Sequence, residues 1–421
     1  MPLTSADPKT GHASPYRWWL IAMLWCVCFC NYADRQAIFS IFPLLRTDLH
    51  LTDLQLGVVG SSFMWMYALA GPLAGWLSDR VSPRNVILGA LAFWSVVTGA
   101  TAVCHSFGSM VLFRTLGGLG EAFYFPAAMA LIGMYHSAST RSRAMALHQS
   151  GVYAGTIGGG ALSALIAQEH GWRNSFFIFG AAGVVLMVIL AVALRRPPEK
   201  TASSNNESRA DFFSGVRNVL ANGRVLTLIS VFIGANFVAV VFLTWLPTYL
   251  YTKFHLSLAN AGFSATAYLQ MASVTGVLLG GMLADRFAAK LTGGRQLIQA
   301  TGLFLGVPFL FLTGWSLSMA GLIVGMIGFG FFKGMYDANI FASLYDVIPV
   351  ERRGVAAGTM NSLGWLGGGF APILIAKAAG RFGLGVCMSA TSLIYLCLGV
   401  VLLLLVRNMR KQPATTADHI A

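Results

Sequence analysis

Runs of about twenty apolar residues recur along this chain, separated by short turns rich in polar and basic residues. Twelve are legible, over 17–42, 54–77, 86–104, 109–135, 144–167, 174–194, 225–250, 259–283, 297–315, 319–347, 354–377 and 384–406. As helices rising about 1.5 Å per residue, they are long enough for a hydrocarbon core of about 30 Å. A helix also satisfies its own backbone polar groups where no water can. The pattern predicts an all-α membrane protein of twelve transmembrane helices.

Composition strengthens this picture and charge gives it a direction. Hydrophobic residues make up 56% of the 421 and charged residues 10%, against roughly 25% charged in a soluble domain. A net charge of +13 would suit a polyanionic partner, but its distribution argues against nucleic acid. Arg80, Arg84, Arg141, Arg143, the stretch from Arg195 to Arg224, Arg286, Arg295, Arg352, Arg353 and Arg407 to Lys411 occupy alternate loops. The opposite loops hold only Arg46, Arg173, Lys253, Lys377 and Arg381. The positive-inside rule puts both termini and the central loop in the cytoplasm, with the chain in the inner membrane. Residues 1–15 are polar and the first apolar run has no small-residue cleavage site, so no cleavable signal peptide is expected. Cys26, Cys28, Cys30, Cys104, Cys387 and Cys397 fall in apolar runs and read as reduced packing residues.

One break interrupts the apolar pattern. Residues 195–224, RRPPEKTASSNNESRADFFSGVRNVLANGR, read as a cytoplasmic linker, with a short surface helix over Asp211 to Leu220. The expected organisation is a tail over 1–16, a six-helix bundle over 17–194, the linker 195–224, a second bundle over 225–406 and a tail over 407–421. A repeat relates the bundles. Gly75-Trp-Leu77-Ser-Asp79-Arg80 recurs as Gly281-Met-Leu283-Ala-Asp285-Arg286, and Arg143-Ala-Met-Ala with Gly158-Gly159 recurs as Arg353-Gly-Val-Ala with Gly368-Gly369. Repeats of this kind place a substrate near the bilayer midplane and work by rocking one half against the other. Small-residue spacings at Gly71/Gly75, Gly151/Gly155 and Gly276/Gly280 permit close helix approach, and are expected at the moving interface.

The duplicated G-x-L-x-D-R loops resemble the signature of the major facilitator superfamily. That resemblance implies two pseudo-symmetric six-helix bundles. It also implies a conformational latch in which Gly75, Asp79, Arg80, Gly281, Asp285 and Arg286 shut the cytoplasmic side in the outward-open state.

Selectivity is expected from charges inside the apolar runs: Asp34, Arg35, Arg114, Glu121, Lys333 and Asp337. Each costs several kcal/mol if it faces lipid, so each should face the bundle interior. Arg114 and Glu121 are separated by about 10.5 Å of helical rise, too far for a simple local pair. Lys333 and Asp337, four apart, can neutralise each other or contact substrate. Asn31-Tyr32-Ala33-Asp34-Arg35, Arg114-x6-Glu121 with Pro126, and Leu243-Thr-Trp245-Leu-Pro247-Thr-Tyr249-Leu250 resemble the anion:cation symporter family. By that resemblance Arg35 contacts a substrate carboxylate, Asp34 and Glu121 carry protons, and Arg114 holds Glu121 charged. The run Gly118-Leu-Gly120-Glu121-Ala-Phe-Tyr124 is also similar to spinster-like lipid carriers. Gln149, Asn236 and Asn361 are further candidates for substrate contact. His148 is expected at a gate or loop, and Trp18, Trp19, Trp172, Trp245 and Trp315 as interfacial anchors.

No G-x4-G-K-[ST] loop and no Cys/His cluster of zinc spacing occurs, so neither ATP drive nor a metal site is expected, and the chain reads as no enzyme. The expected function is proton-coupled symport of a small organic anion, a sugar acid or another carboxylate, by a monomer with the proton as its only coupling ion. The alternatives are a spinster-like carrier of lysolipids or other amphipaths, proton-coupled drug efflux, and a transport-dead sensor.

Overall fold

The computed structural model describes residues 15–195, 209–349 and 352–411. Residues 1–14 and 412–421 of the expected tails and 196–208 of the linker lie outside these, whereas residues 407–411 of the expected C-terminal tail are helical. The first half of the chain forms α1 (Tyr16–Ser40), α2 (Phe42–Asp48), α3 (Asp53–Arg80), α4 (Pro83–Thr101), α5 (Phe107–Ala122), α6 (Tyr124–Tyr135), α7 (Ala138–His170) and α8 (Trp172–Ala193). The short helix α9 (Arg209–Ala221) follows, where the end of the linker was expected to be helical. The second half forms α10 (Gly223–Lys253), α11 (Leu258–Ala288), α12 (Gly294–Trp315), α13 (Met319–Asp337), α14 (Ile340–Tyr345), α15 (Arg353–Gly368), α16 (Ala371–Phe382) and α17 (Leu384–Lys411).

Three of the expected helices are broken rods: α5 with α6, α13 with α14, and α15 with α16. Counting each pair as one and setting aside the short α2 and α9 gives twelve rods among the described residues. Ten are long and apolar enough to cross a membrane by length and composition. The other two are α1, which carries Arg17, Asn31, Asp34 and Arg35, and the 19-residue α4, which begins Pro83-Arg84-Asn85.

Local chemistry sets the ends. Thr52 and Gln55 form a reciprocal cap on α3, and Asn222, Ser257 and Ser318 accept from the first turns of α10, α11 and α13. The repeat reappears in the turns. Gly171 and Gly383, with φ of 84° and 81°, close the corners before α8 and α17. His50 and His255, both at φ 51°, do the same before α3 and α11.

The paired glycines correct one expectation. Gly151 and Gly155 let α7 approach Trp25 and Phe29 of α1, and Gly276 and Gly280 let α11 approach Phe331 and Met335 of α13. These contacts lie within one half. Of the six expected, only Gly71 meets the other half, where a Cβ would lie 3.2 Å from the Ser362 hydroxyl. The halves meet mainly elsewhere, where Gly57 abuts Pro372 and Gly160 abuts Gly262. These residues lie toward the face opposite the G-x-L-x-D-R loops. On the basic face Gly75, Gly281, Gly354 and Gly358 have no neighbour within 4 Å of a would-be Cβ, and Leu147 is 51% exposed. The cleft between the halves therefore opens toward the basic face.

Candidate functional site

Four ionisable residues gather inside the first half: Asp34, Arg35, Arg114 and Glu121 are 4%, 6%, 5% and 2% exposed. Neighbours on an α-helix point about 100° apart, and this separates Asp34 from Arg35. Asp34 turns toward α4, where the Thr98 hydroxyl donates to its Oδ2 at 3.4 Å. Arg35 turns toward α3 and α5, and its Nη2 donates to Glu121 Oε2 at 3.3 Å.

The guanidinium hydrogen-bonded to Glu121 is thus Arg35; Arg114, which the resemblance assigned to holding Glu121 charged, makes no hydrogen bond to it among the described residues. Among the described residues, Nε and Nη2 of Arg114 have no hydrogen-bond partner, and its guanidinium lies 4.4 Å from the Phe63 ring centre. Nη1 of Arg35 is likewise unfilled. Of the two buried guanidinium groups only Arg35 is paired directly with a carboxylate, and both keep spare donors, so the site has donors to offer an anion.

Aromatic rings enclose Arg35. Its Cζ lies 4.7 Å from the Tyr32 ring centre, 5.1 Å from Phe63, 4.4 Å from Tyr67 and 5.1 Å from Trp365. Trp365 belongs to α15, so Arg35 lies at the junction of the two halves. Sequence reading missed these rings. Their spacing along α1 and α3 is that of ordinary core residues, and only the fold brings them to one guanidinium.

The second half supplies a different chemistry. Lys333 and Asp337 pair across one turn of α13, their side chains 15% and 32% exposed. Asn236 donates to the Gly364 carbonyl at 2.7 Å, binding α10 to α15. Asn361 is half-buried on α15 and Gln149 exposed on α7. His148 departs from the expectation of a loop contact. It is fully buried, with Nε2 2.7 Å from the Tyr124 hydroxyl, which donates to the Leu24 carbonyl. Trp245 is no interfacial anchor either: it is 2% exposed and donates to the Pro372 carbonyl at 3.2 Å.

The duplicated loops lie away from this cluster. Arg80 is exposed and lies over Trp76 at 4.5 Å. Asp285 pairs with Arg295 at 3.1 Å, and Arg295 with Asp346 at 3.2 Å, joining α11, α12 and the end of α14 within one half. Arg286 is exposed, and the side chain of Asp79 lies outside what is described.

A family model described as Major Facilitator Superfamily matches residues 24–372 and 254–420. The chain belongs to the Major Facilitator Superfamily. This major facilitator is a multi-pass membrane transporter and no enzyme. It is similar to the probable galactarate/D-glucarate transporter of Escherichia coli strain K12, at 26% identity over 413 residues covering 90% of this chain and 91% of the relative. The hexuronate transporter of Bacillus subtilis strain 168 is 25% identical, over 94% of this chain and 96% of the relative. In fold it resembles a bacterial homologue of the human lysosomal transporter spinster, solved in an inward-facing, unoccupied conformation. That match has a TM-score of 0.82 at 20% identity and covers 96% of this chain and all of the other.

Proposed function

We propose that this transporter carries a small organic carboxylate, a sugar acid or a related anion, together with a proton across the inner membrane. The observation that carries the proposal is the buried Arg35–Glu121 pair at 3.3 Å, set where the two halves meet, with unfilled donors on Arg35 and Arg114. A guanidinium binds carboxylate through a planar fork. A substrate carboxylate and Glu121 therefore compete for Arg35. When the substrate takes Arg35, Glu121 loses its cation in a low-dielectric site, and taking up a proton restores neutrality. Coupling needs no more than this exchange.

The remaining residues follow from it. Asp34, held by Thr98 beside the pair, is a second proton carrier. Arg114 provides a second cationic contact for the anion. Lys333 and Asp337 neutralise each other, which leaves recognition of charge to the first half. Gln149 and Asn361 are candidates for contact with substrate hydroxyls, whereas the amide of Asn236 is spent on Gly364. The basic face is assigned to the cytoplasm by its arginines, so the open cleft corresponds to release into the cell. On reversal, Gly75, Asp79, Arg80, Gly281, Asp285 and Arg286 close that face. The similarity to a probable galactarate/D-glucarate transporter and to a hexuronate transporter supports the substrate class.

Uptake of uronates, aldarates and aryl carboxylates into proteoliposomes tests this. The reading expects an outside-acid gradient to drive accumulation and Arg35→Ala to abolish it. Gradient-independent uptake, or unchanged affinity in Arg35→Ala, contradicts it.

A further inference from the structure

Two helices of the second half carry backbone carbonyls that their own helices do not satisfy. On α10, Pro247 has no N–H, so the carbonyl of Leu243, four residues earlier, loses its regular partner. Where α15 breaks from α16, the N–H of Phe370 bonds to Gly367 instead of Leu366, and the Leu366 carbonyl is freed in the same way. A freed carbonyl at membrane depth needs a partner.

Both partners come from the first half. Gln36 of α1, 3% exposed, donates Nε2 to the Leu243 carbonyl at 2.9 Å. Trp65 of α3 donates Nε1 to the Leu366 carbonyl at 3.2 Å, its indole seated against Gly369, where a Cβ would lie 2.6 Å away. Gln36 follows directly on Arg35, and Trp65 is stacked edge-on with Phe370 at 5.0 Å.

We infer that Gln36 and Trp65 are the positioning residues that hold the halves together beside the substrate site, by completing helix hydrogen bonds that Pro247 and the α15/α16 break leave open. When the halves part on that face, both carbonyls are surrendered to water, so the bonds exist only in the state open to the basic face. The inference concerns the motion and not the cargo, and it stands whichever anion is carried.

The test uses spin labels at Glu169 and Asn260, exposed residues near the α7 and α11 ends of that face, in the full chain with the native cysteines replaced. Double electron–electron resonance then gives the ratio of apart to together populations. Gln36→Leu and Trp65→Phe each remove one donor while keeping bulk. One net hydrogen bond corresponds to about a five-fold rise in that ratio. Pro247→Ala restores the N–H donor that the Leu243 carbonyl lacks. In that background Gln36→Leu should change the ratio less than about two-fold. If neither donor variant moves the distribution, or if Gln36→Leu has the same effect with and without Pro247, the inference is overturned. Should Gln36→Leu not fold, the decision passes to Trp65→Phe, for which an unchanged ratio is equally fatal.

Discussion

Glu121→Gln isolates the proton carrier from the anion clamp. The substitution keeps the size of residue 121, removes its charge and replaces one acceptor oxygen with an NH2 donor. In the native protein Glu121 Oε2 lies 3.3 Å from Arg35 Nη2, with the two side chains 2% and 7% exposed. Removing one partner of a buried pair costs about 3–5 kcal/mol, because the other charge is left uncompensated. A carboxylate ligand that reaches Arg35 recovers part of this. Recovery of about half, roughly 2 kcal/mol, tightens anion binding about thirty-fold. The same change removes the group that exchanges a proton for the substrate. In proteoliposomes Glu121→Gln should bind anion at least tenfold more tightly, retain substrate counterflow and lose gradient-driven accumulation. Undiminished accumulation refutes the assignment of Glu121. Weaker binding refutes the competition for Arg35.

Other perturbations separate the remaining parts of the account. Arg35→Lys keeps the charge but not the planar fork, and should weaken carboxylate binding at least tenfold in calorimetric titration. Gly262→Leu places a side chain against the backbone of Gly160. It should hold the halves apart on that face and arrest transport while leaving the protein folded, as read by label distances and size-exclusion profile. Arg295→Ala frees both Asp285 and Asp346. These groups are substantially exposed, so the melting temperature should fall by only a few degrees, equivalent to about 1 kcal/mol or less. Asp48 lies outside the spans, and the Trp172 indole N–H and Arg173 guanidinium hold its carboxyl below the ordinary aspartate value. A depressed carboxylate stabilises the fold above its unfolded pKa, and this is lost as pH falls through the lower folded value. Asp48→Asn should therefore lower the melting temperature at neutral pH, with the deficit closing as pH drops below about 4.

Much of this was legible in the chain because lipid leaves few choices. Long apolar runs have to be helices, and buried charges have to face inward, so the twelve rods and the placement of Asp34, Arg35, Arg114 and Glu121 followed from pattern alone. Pair identity did not. Arg114 and Glu121 share a helix, but their separation along its axis leaves Glu121 to Arg35 of α1, a choice set by helix packing and invisible to spacing. The glycine pairs failed for a related reason: a four-residue spacing signals close approach without saying which helix approaches. Gln36 reads as one more polar residue in a helix, and its role emerges only when α1 meets α10 beside Pro247. The proline was the available signal, since a missing N–H always leaves a carbonyl to be satisfied.

Proton uptake on substrate binding tests the central claim most directly. Calorimetric titration of the purified transporter with its carboxylate substrate, in buffers of different ionisation enthalpy, counts the protons taken up per anion bound. The competition for Arg35 predicts net uptake of up to about one proton near neutral pH in the native protein and markedly less in Glu121→Gln, where only Asp34 remains to take one up. Binding with no proton uptake in the native protein, or equal uptake in both, contradicts it.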